Sequence, residues 1–250
     1  MEPFPVLRKL KHLYLENDAG LQLDEIDFRR MSPNITSLDM DCDSERAHSV
    51  YRHFSSQLRE LAVFFKRDDF FLPFCELRFP QLEILDFYCD DQQFDEPRAV
   101  LAVCKFFRQM PKLRRLTLRC NVCEEVMAAI TENCPEMTTL YLKGDNLGPN
   151  AFRHLGHLKK LKGLKVEGWI RCNILQGCGP IPSLQMLYLH SVLIDDTQGF
   201  FRLLKDIAPN LQILEAIESD IDDECLKYIS CNINSLRCLV LEFCPNVSRF

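Results

Sequence analysis

The chain has 250 residues, 47% of them hydrophobic and 26% charged, with 36 acidic against 30 basic side chains. That balance excludes a disordered or collagen-like chain, and no apolar run approaches the ~18 residues of a membrane helix. The net charge of −6 argues against a general nucleic-acid binder, which needs a basic face to displace phosphate counterions.

Met1–Pro5 is neither basic nor followed by an apolar stretch, so no secretion signal is read. The thirteen cysteines are then expected as reduced thiols acting as small hydrophobes, in a cytoplasmic or nuclear setting. The sequons at Asn34 and Asn246 matter only if the chain is secreted.

From Leu10 onward a short segment with apolar residues at positions 1, 4 and 6 recurs. The copies are Leu10-Leu13-Leu15, Ile35-Leu38-Met40, Leu58-Leu61-Val63, Leu82-Leu85-Phe87 and Leu113-Leu116-Leu118. Then follow Met137-Leu140-Leu142, Leu161-Leu164-Val166, Leu184-Leu187-Leu189, Leu211-Leu214-Ala216 and Leu236-Leu239-Leu241. They start 25, 23, 24, 31, 24, 24, 23, 27 and 25 residues apart. One copy would be an ordinary amphipathic stretch. Ten in register are a repeat inside the 20–29 residue range of leucine-rich repeats. Proline stands two residues before position 1 in six copies: Pro33, Pro80, Pro111, Pro135, Pro182 and Pro209.

Each copy should form a strand at positions 3–5, with the leucines at 4 and 6 in a shared core and the proline just before the strand. Between strands, Glu96–Gln109, Glu124–Glu132, Thr197–Ile207 and Asp223–Ile229 carry apolar residues at helical spacing. The pairs Asp195-Asp196 and Asp222-Asp223 are expected to cap two of these helices. In the third repeat Pro73 interrupts the pattern, and Phe64, Phe65, Phe70, Phe71, Phe74 and Phe79 crowd together. They are expected to fill the core more than to anchor a partner.

The architecture expected is a single α/β leucine-rich-repeat solenoid, a horseshoe over 1–250 with about ten repeats. Strands line the concave face and helices the convex face. Strand cores start near 10, 35, 58, 82, 113, 137, 161, 184, 211 and 236, and the last repeat is incomplete.

Several copies add a cysteine or Asn/Asp after the strand, then Ile-Asp, a helix and Cys-Pro. Examples are Cys120, Asn121, Cys134 and Pro135, or Ile221, Asp222 and Cys231. The chain ends on Leu-Arg-Cys-Leu-Val-Leu-Glu-Phe-Cys-Pro-Asn-Val-Ser at Leu236–Ser248. This resembles the cysteine-containing leucine-rich repeats of F-box/leucine-rich-repeat proteins. The resemblance implies a substrate-recognition domain serving a cullin–RING ubiquitin ligase. The first strand begins at Leu10, so the F-box would be missing or separate. The alternative is a general intracellular leucine-rich-repeat scaffold unrelated to ubiquitin, or, ranked below it, a cysteine- or zinc-based enzyme.

Cys120-x-x-Cys123 with Cys134 is three ligands where zinc needs four, and the repeat explains Cys120 and Cys134. His154-x-x-His157 has no further ligand in sequence. No phosphate loop, nucleophile elbow or carboxylate pair appears. The expectation is no enzyme, no cofactor and no metal.

The informative residues are at positions 5 and 7, which alternate away from the leucine core. Position 5 reads Tyr14, Asp39, Ala62, Asp86, Thr117, Tyr141, Lys165, Tyr188, Glu215, Val240. Position 7 reads Glu16, Asp41, Phe64, Tyr88, Arg119, Lys143, Glu167, His190, Ile217, Glu242. Arg115, Arg119, Lys143 and Lys165 should make a basic stripe, with Tyr88, Tyr141 and Tyr188 on or beside it. That stripe fits an acidic or phosphorylated protein segment. Equally, Glu167 and Asp86 could neutralise it locally.

Overall fold

The structure is a computed structural model. It describes residues 6–15, 28–42, 44–65, 71–89, 97–120, 122–144, 147, 150–171, 177–194 and 196–248. Glu16, Phe70, Glu96, Asn121 and Asp195 lie outside them.

Ten strands form one all-parallel sheet in strict sequence order. They are β1 (His12–Leu15), β2 (Ser37–Asp41), β3 (Glu60–Phe64), β4 (Ile84–Tyr88) and β5 (Arg115–Arg119). Next come β6 (Thr139–Lys143), β7 (Gly163–Arg171), β8 (Met186–Leu193), β9 (Ile213–Ile217) and β10 (Cys238–Glu242). Every pairing is position for position: Leu38 meets Leu61, Leu85 meets Leu116, and Leu187 meets Leu214. The repeat register read from the leucines is therefore the register of the sheet. The strands run longer than the expected positions 3–5. Most extend through position 7, because position 6 is again buried and keeps the chain extended against its neighbours.

Apart from Leu10 and Leu239 in the two end repeats, the apolar residues at positions 1, 4 and 6 form one core with the helices α1 (Phe28–Met31), α2 (Glu45–Phe54), α3 (Phe71–Cys75) and α4 (Pro97–Phe107). The same core continues under α5 (Glu124–Asn133), α6 (Thr197–Arg202) and α7 (Asp223–Asn232). The four helices expected from the sequence all form. Thr197–Ile207 ends in a wider π-helical turn over Leu203–Ile207. Asp222 caps α7, accepting the Cys225 amide at 2.8 Å, whereas Asp196 occupies the cap position of α6 without a side-chain bond to the helix amides. Helix α2 was not expected. It is capped by Ser44 on the Ala47 amide and buries Ala47, Val50, Tyr51 and Phe54 at helical spacing.

The prolines have a specific place. Met110 O accepts the Leu113 amide, and Phe79 O, Cys134 O, Ile181 O and Ala208 O do the same for Leu82, Met137, Leu184 and Leu211. Each closes a four-residue turn with proline second, where its fixed φ fits and its missing N–H is not required.

Phe65, Phe71, Phe74 and Phe79 are buried, as expected. Phe64 is not: at position 7 it faces outward, 43% exposed, with its ring 6.2 Å from Tyr88. Pro73 sits inside the short helix α3. Strand β7 holds one extra residue between Glu167 and Ile170, and Gly168 at φ 148° provides that bulge. Trp169 beside it is left 66% exposed.

Phe74 is the centre of the aromatic core, with its ring within 5.1–6.5 Å of those of Tyr51, Phe65, Phe79, Phe87 and Phe106. Phe74→Ala is expected to cost about 3–5 kcal/mol in urea unfolding. Phe64→Ala, on the open face, should stay within about 0.5–1 kcal/mol of the parent.

Candidate open-face interaction site

The sheet holds the outward residues of neighbouring repeats in columns. Along position 7, Tyr88, Arg119, Lys143, Glu167 and His190 are successive register partners. Along position 5, Thr117, Tyr141, Lys165, Tyr188 and Glu215 follow one another. Six of the seven residues singled out in the sequence thus come together. Arg115 stands apart: it faces Ile84 and Thr139 in the position 3 column, ~13 Å along β5 from Arg119.

Arg119 lies with its guanidinium carbon 4.7 Å from the centre of the Tyr88 ring and 5.8 Å from that of Tyr141. Lys165 Nζ stands 4.7 Å over the Tyr141 ring. Cation–π attraction therefore binds the tyrosines and cations into one patch.

Glu167 is its organising anion. Its carboxylate is 2.5 Å from Lys143 Nζ and 3.6 Å from Lys165 Nζ, and it accepts the Tyr141 hydroxyl hydrogen bond. His190 Nδ1 lies 3.9 Å from Glu167, while its Nε2 is 3.0 Å from Glu215. Local neutralisation thus holds for Lys143 and Lys165, through Glu167. Among the described residues Arg119 has no carboxylate partner. Arg115 has none either, so both are exposed arginines of the face without a carboxylate partner among the described residues. Tyr188 directs its hydroxyl to Met186 Sδ at 3.6 Å.

These contacts shift the ionisations. Partial burial alone would raise the Glu167 carboxyl, but hydrogen bonds from Lys143 and Tyr141 and the charges of Lys143 and Lys165 outweigh it, holding the group at about 2. Burial, and then the bond to Glu167 and its charge, push the Tyr141 phenol well up, with Arg119 opposing. Burial also raises Tyr88, against the pull of Arg119. On the earlier repeats, Asp39 is raised by burial and by the charges of Asp86 and Asp41, with the small Ala62 between Asp39 and Asp86 in register.

The other sequence candidates have structural places. Cys120 and Cys134 are buried in the core, the Cys134 thiol 3.9 Å from Phe107 O. No disulfide forms among the described cysteines. Among the described residues, no three His, Cys, Asp or Glu side chains gather to hold a metal, and no helix is long and apolar enough to cross a membrane. His154 meets a carboxylate that its local sequence does not show: Glu124, from the preceding repeat, 3.4 Å away.

The fold is that of a leucine-rich-repeat protein. The leucine-rich repeat-containing protein LegL7 of Legionella pneumophila superposes with a TM-score of 0.58 at 14% identity, over 94% of this chain and 84% of that one. At that identity the likeness establishes the architecture. No protein-family profile and no curated protein matches the sequence.

Glu167→Gln tests the hub. The folded carboxyl titrates below its unfolded value of ~4.3, so its stabilisation is complete above that pH and is lost as pH falls through about 2. At neutral pH the variant should lose under about 1 kcal/mol, since the pairs are half-exposed. Urea midpoints of parent and variant should converge as pH is lowered from 6 toward ~2.

Proposed function

We propose that the chain is a non-enzymatic protein–protein interaction module that recognises an acidic or phosphorylated segment on the open face of its sheet. The observation that carries this reading is Arg119, its guanidinium carbon over the Tyr88 ring and near that of Tyr141, without a carboxylate partner among the described residues. A guanidinium held over an aromatic ring keeps N–H groups free to meet a carboxylate or phosphate in a two-point fork. Tyrosine and arginine are also the side chains from which interfaces draw most of their binding energy. Lys143 and Lys165, already engaged by Glu167, act here as supports of Tyr141 and its neighbours. Arg115 offers a second, separate cation for a longer segment.

Within this class, the Cys-Pro marks at Cys134-Pro135 and Cys244-Pro245 favour a substrate-recognition role of the kind found in F-box/leucine-rich-repeat proteins. Recovery of cullin–RING subunits in a pull-down would support that role. Their absence beside a recovered partner would leave a scaffold unrelated to ubiquitin.

With a partner identified by pull-down and mass spectrometry, Arg119→Ala and Tyr141→Ala should each weaken binding by more than ~1 kcal/mol, about fivefold or more. Arg119→Lys should recover little of the loss, because a point charge does not replace the fork. Thermal unfolding of Arg119→Ala should stay close to that of the parent. Unchanged binding in both alanine variants would place recognition elsewhere.

A further inference from the structure

On the helical side, the third and fourth repeats leave a groove. Helix α3 has five residues, while α4 beside it has eleven. Helix α4 turns Ala99, Val103, Cys104, Phe106 and Phe107 into the core. A second stripe, Arg98, Leu101, Ala102 and Lys105, follows the i, i+3, i+4, i+7 pattern of one helix face. It lines the groove opposite Leu72, Cys75 and Arg78. The stub α3 is too short to cover it.

Three features of this groove find no partner among the described residues. Leu101, in mid-helix, is 53% exposed. Arg78, Arg98 and Lys105 are exposed and have no carboxylate partner among the described residues, and the one acid in the lining is Glu76. Arg98 lies in the first turn of α4, which carries no acidic residue, so its charge opposes the helix dipole. At the far end, Gln109 Oε1 is buried without a hydrogen-bond partner, while its amide nitrogen reaches Lys105 O at 3.4 Å. A buried acceptor left in this way is costly until a donor meets it.

We propose that the groove between α3 and α4 docks an acidic amphipathic helix of a partner protein. Arg98 and Lys105 are seven residues apart, ~10 Å along the helix axis. A docked helix running beside α4 would place two carboxylates seven residues apart against them, with an apolar pair between on Leu101 and Ala102. Arg78 faces the same segment from the opposite wall. This is recognition of a helix in a groove, read at i, i+3, i+4 and i+7. Charge complementarity selects the occupant: an apolar floor ringed by three cations and one acid favours carboxylates at the rim. The two walls favour a helix over a flat lipid surface. The groove is on the other side of the sheet from Arg119 and does not depend on the open-face reading.

The test uses the full chain and two fluorescein-labelled synthetic helical peptides. Both carry a leucine pair at i+3 and i+4. One has glutamate at i and i+7, the other lysine. In fluorescence anisotropy the glutamate peptide should bind at least ~10-fold more tightly than the lysine peptide and weaken as salt is raised. The double variant Arg98→Glu, Lys105→Glu and the single variant Leu101→Asp should each lower its affinity about 10-fold or more. Should a charge-reversed variant unfold, Arg98→Ala with Lys105→Ala must still weaken binding. Arg119→Ala should leave peptide binding unchanged while it weakens the open-face partner. Equal affinity for the two peptides overturns the proposal. So does insensitivity to the α4 substitutions, loss of peptide binding in Arg119→Ala, or a preference for phosphatidylserine vesicles over the glutamate peptide.

Discussion

One backbone interaction, repeated nine times, sets everything else in place. The carbonyl of the second residue in each repeat accepts the amides of the second and third residues of the next. Lys11 O takes Thr36 N at 2.8 Å and Ser37 N at 3.0 Å, and the same step recurs until Gln212 O takes Arg237 N and Cys238 N. With that bond made, the strands cannot slip, and a slip of one residue would turn every leucine out of the core. Variation in repeat length is therefore forced to the helical side. The 31-residue spacing between Leu82 and Leu113 leaves Ile84 facing Arg115 like any other pair, so its extra length lies between the two strands. The mismatch between α3 and α4, and with it the groove beside Leu101, follows from the same constraint.

The sheet was legible in the sequence because its two determinants are both sequence patterns: the leucine triad that recurs near every 25 residues and the alternation of side chains along a strand. Once the triads were aligned, the columns of positions 5 and 7 followed. What the pattern does not carry is which way a long side chain turns within its column. Lys143 and Lys165 could have reached solvent beside Arg119, but both bend toward Glu167, where Tyr141 and His190 also converge. Glu167 is legible as a nearby counter-charge, and its role as hub emerges only in three dimensions. Helix α2 shows the opposite case. Its signal, Ser44 followed by Val50, Tyr51 and Phe54 at helical spacing, is present in the sequence and is simply weaker than the strands that flank it. Phe64 falls in two readings, the phenylalanine cluster and the outward position 7, and strand parity decides between them: the ring is 43% exposed.

The face that results is divided by charge. In its early repeats burial, and then the charges of Asp86 and Asp41, raise the carboxyl of Asp39. In the middle, one glutamate is shared by two lysines, a tyrosine and a histidine, which spreads its charge and holds it ionised. Arg119 sits at the boundary. Its register partners are Tyr88 and Lys143, so the sheet itself denies it an adjacent acid. A neighbouring lysine would ordinarily make that an unfavourable place for an arginine. The ring of Tyr88 and the diversion of Lys143 toward Glu167 together make it tolerable.

That arrangement also determines what Arg119 can do. A free arginine on a surface loses much rotamer entropy when it is captured, and that loss weakens the contact. Here the two tyrosines restrict the guanidinium before any partner arrives, and Tyr141 is in turn held by Glu167 and covered by Lys165. Each layer immobilises the next, and the deepest layer is the parallel ladder that no side chain can shift. The guanidinium of Arg119 is thus ordered at the expense of folding. The same sheet that fixes the leucines on one side provides, on the other, a cation whose position is settled in advance.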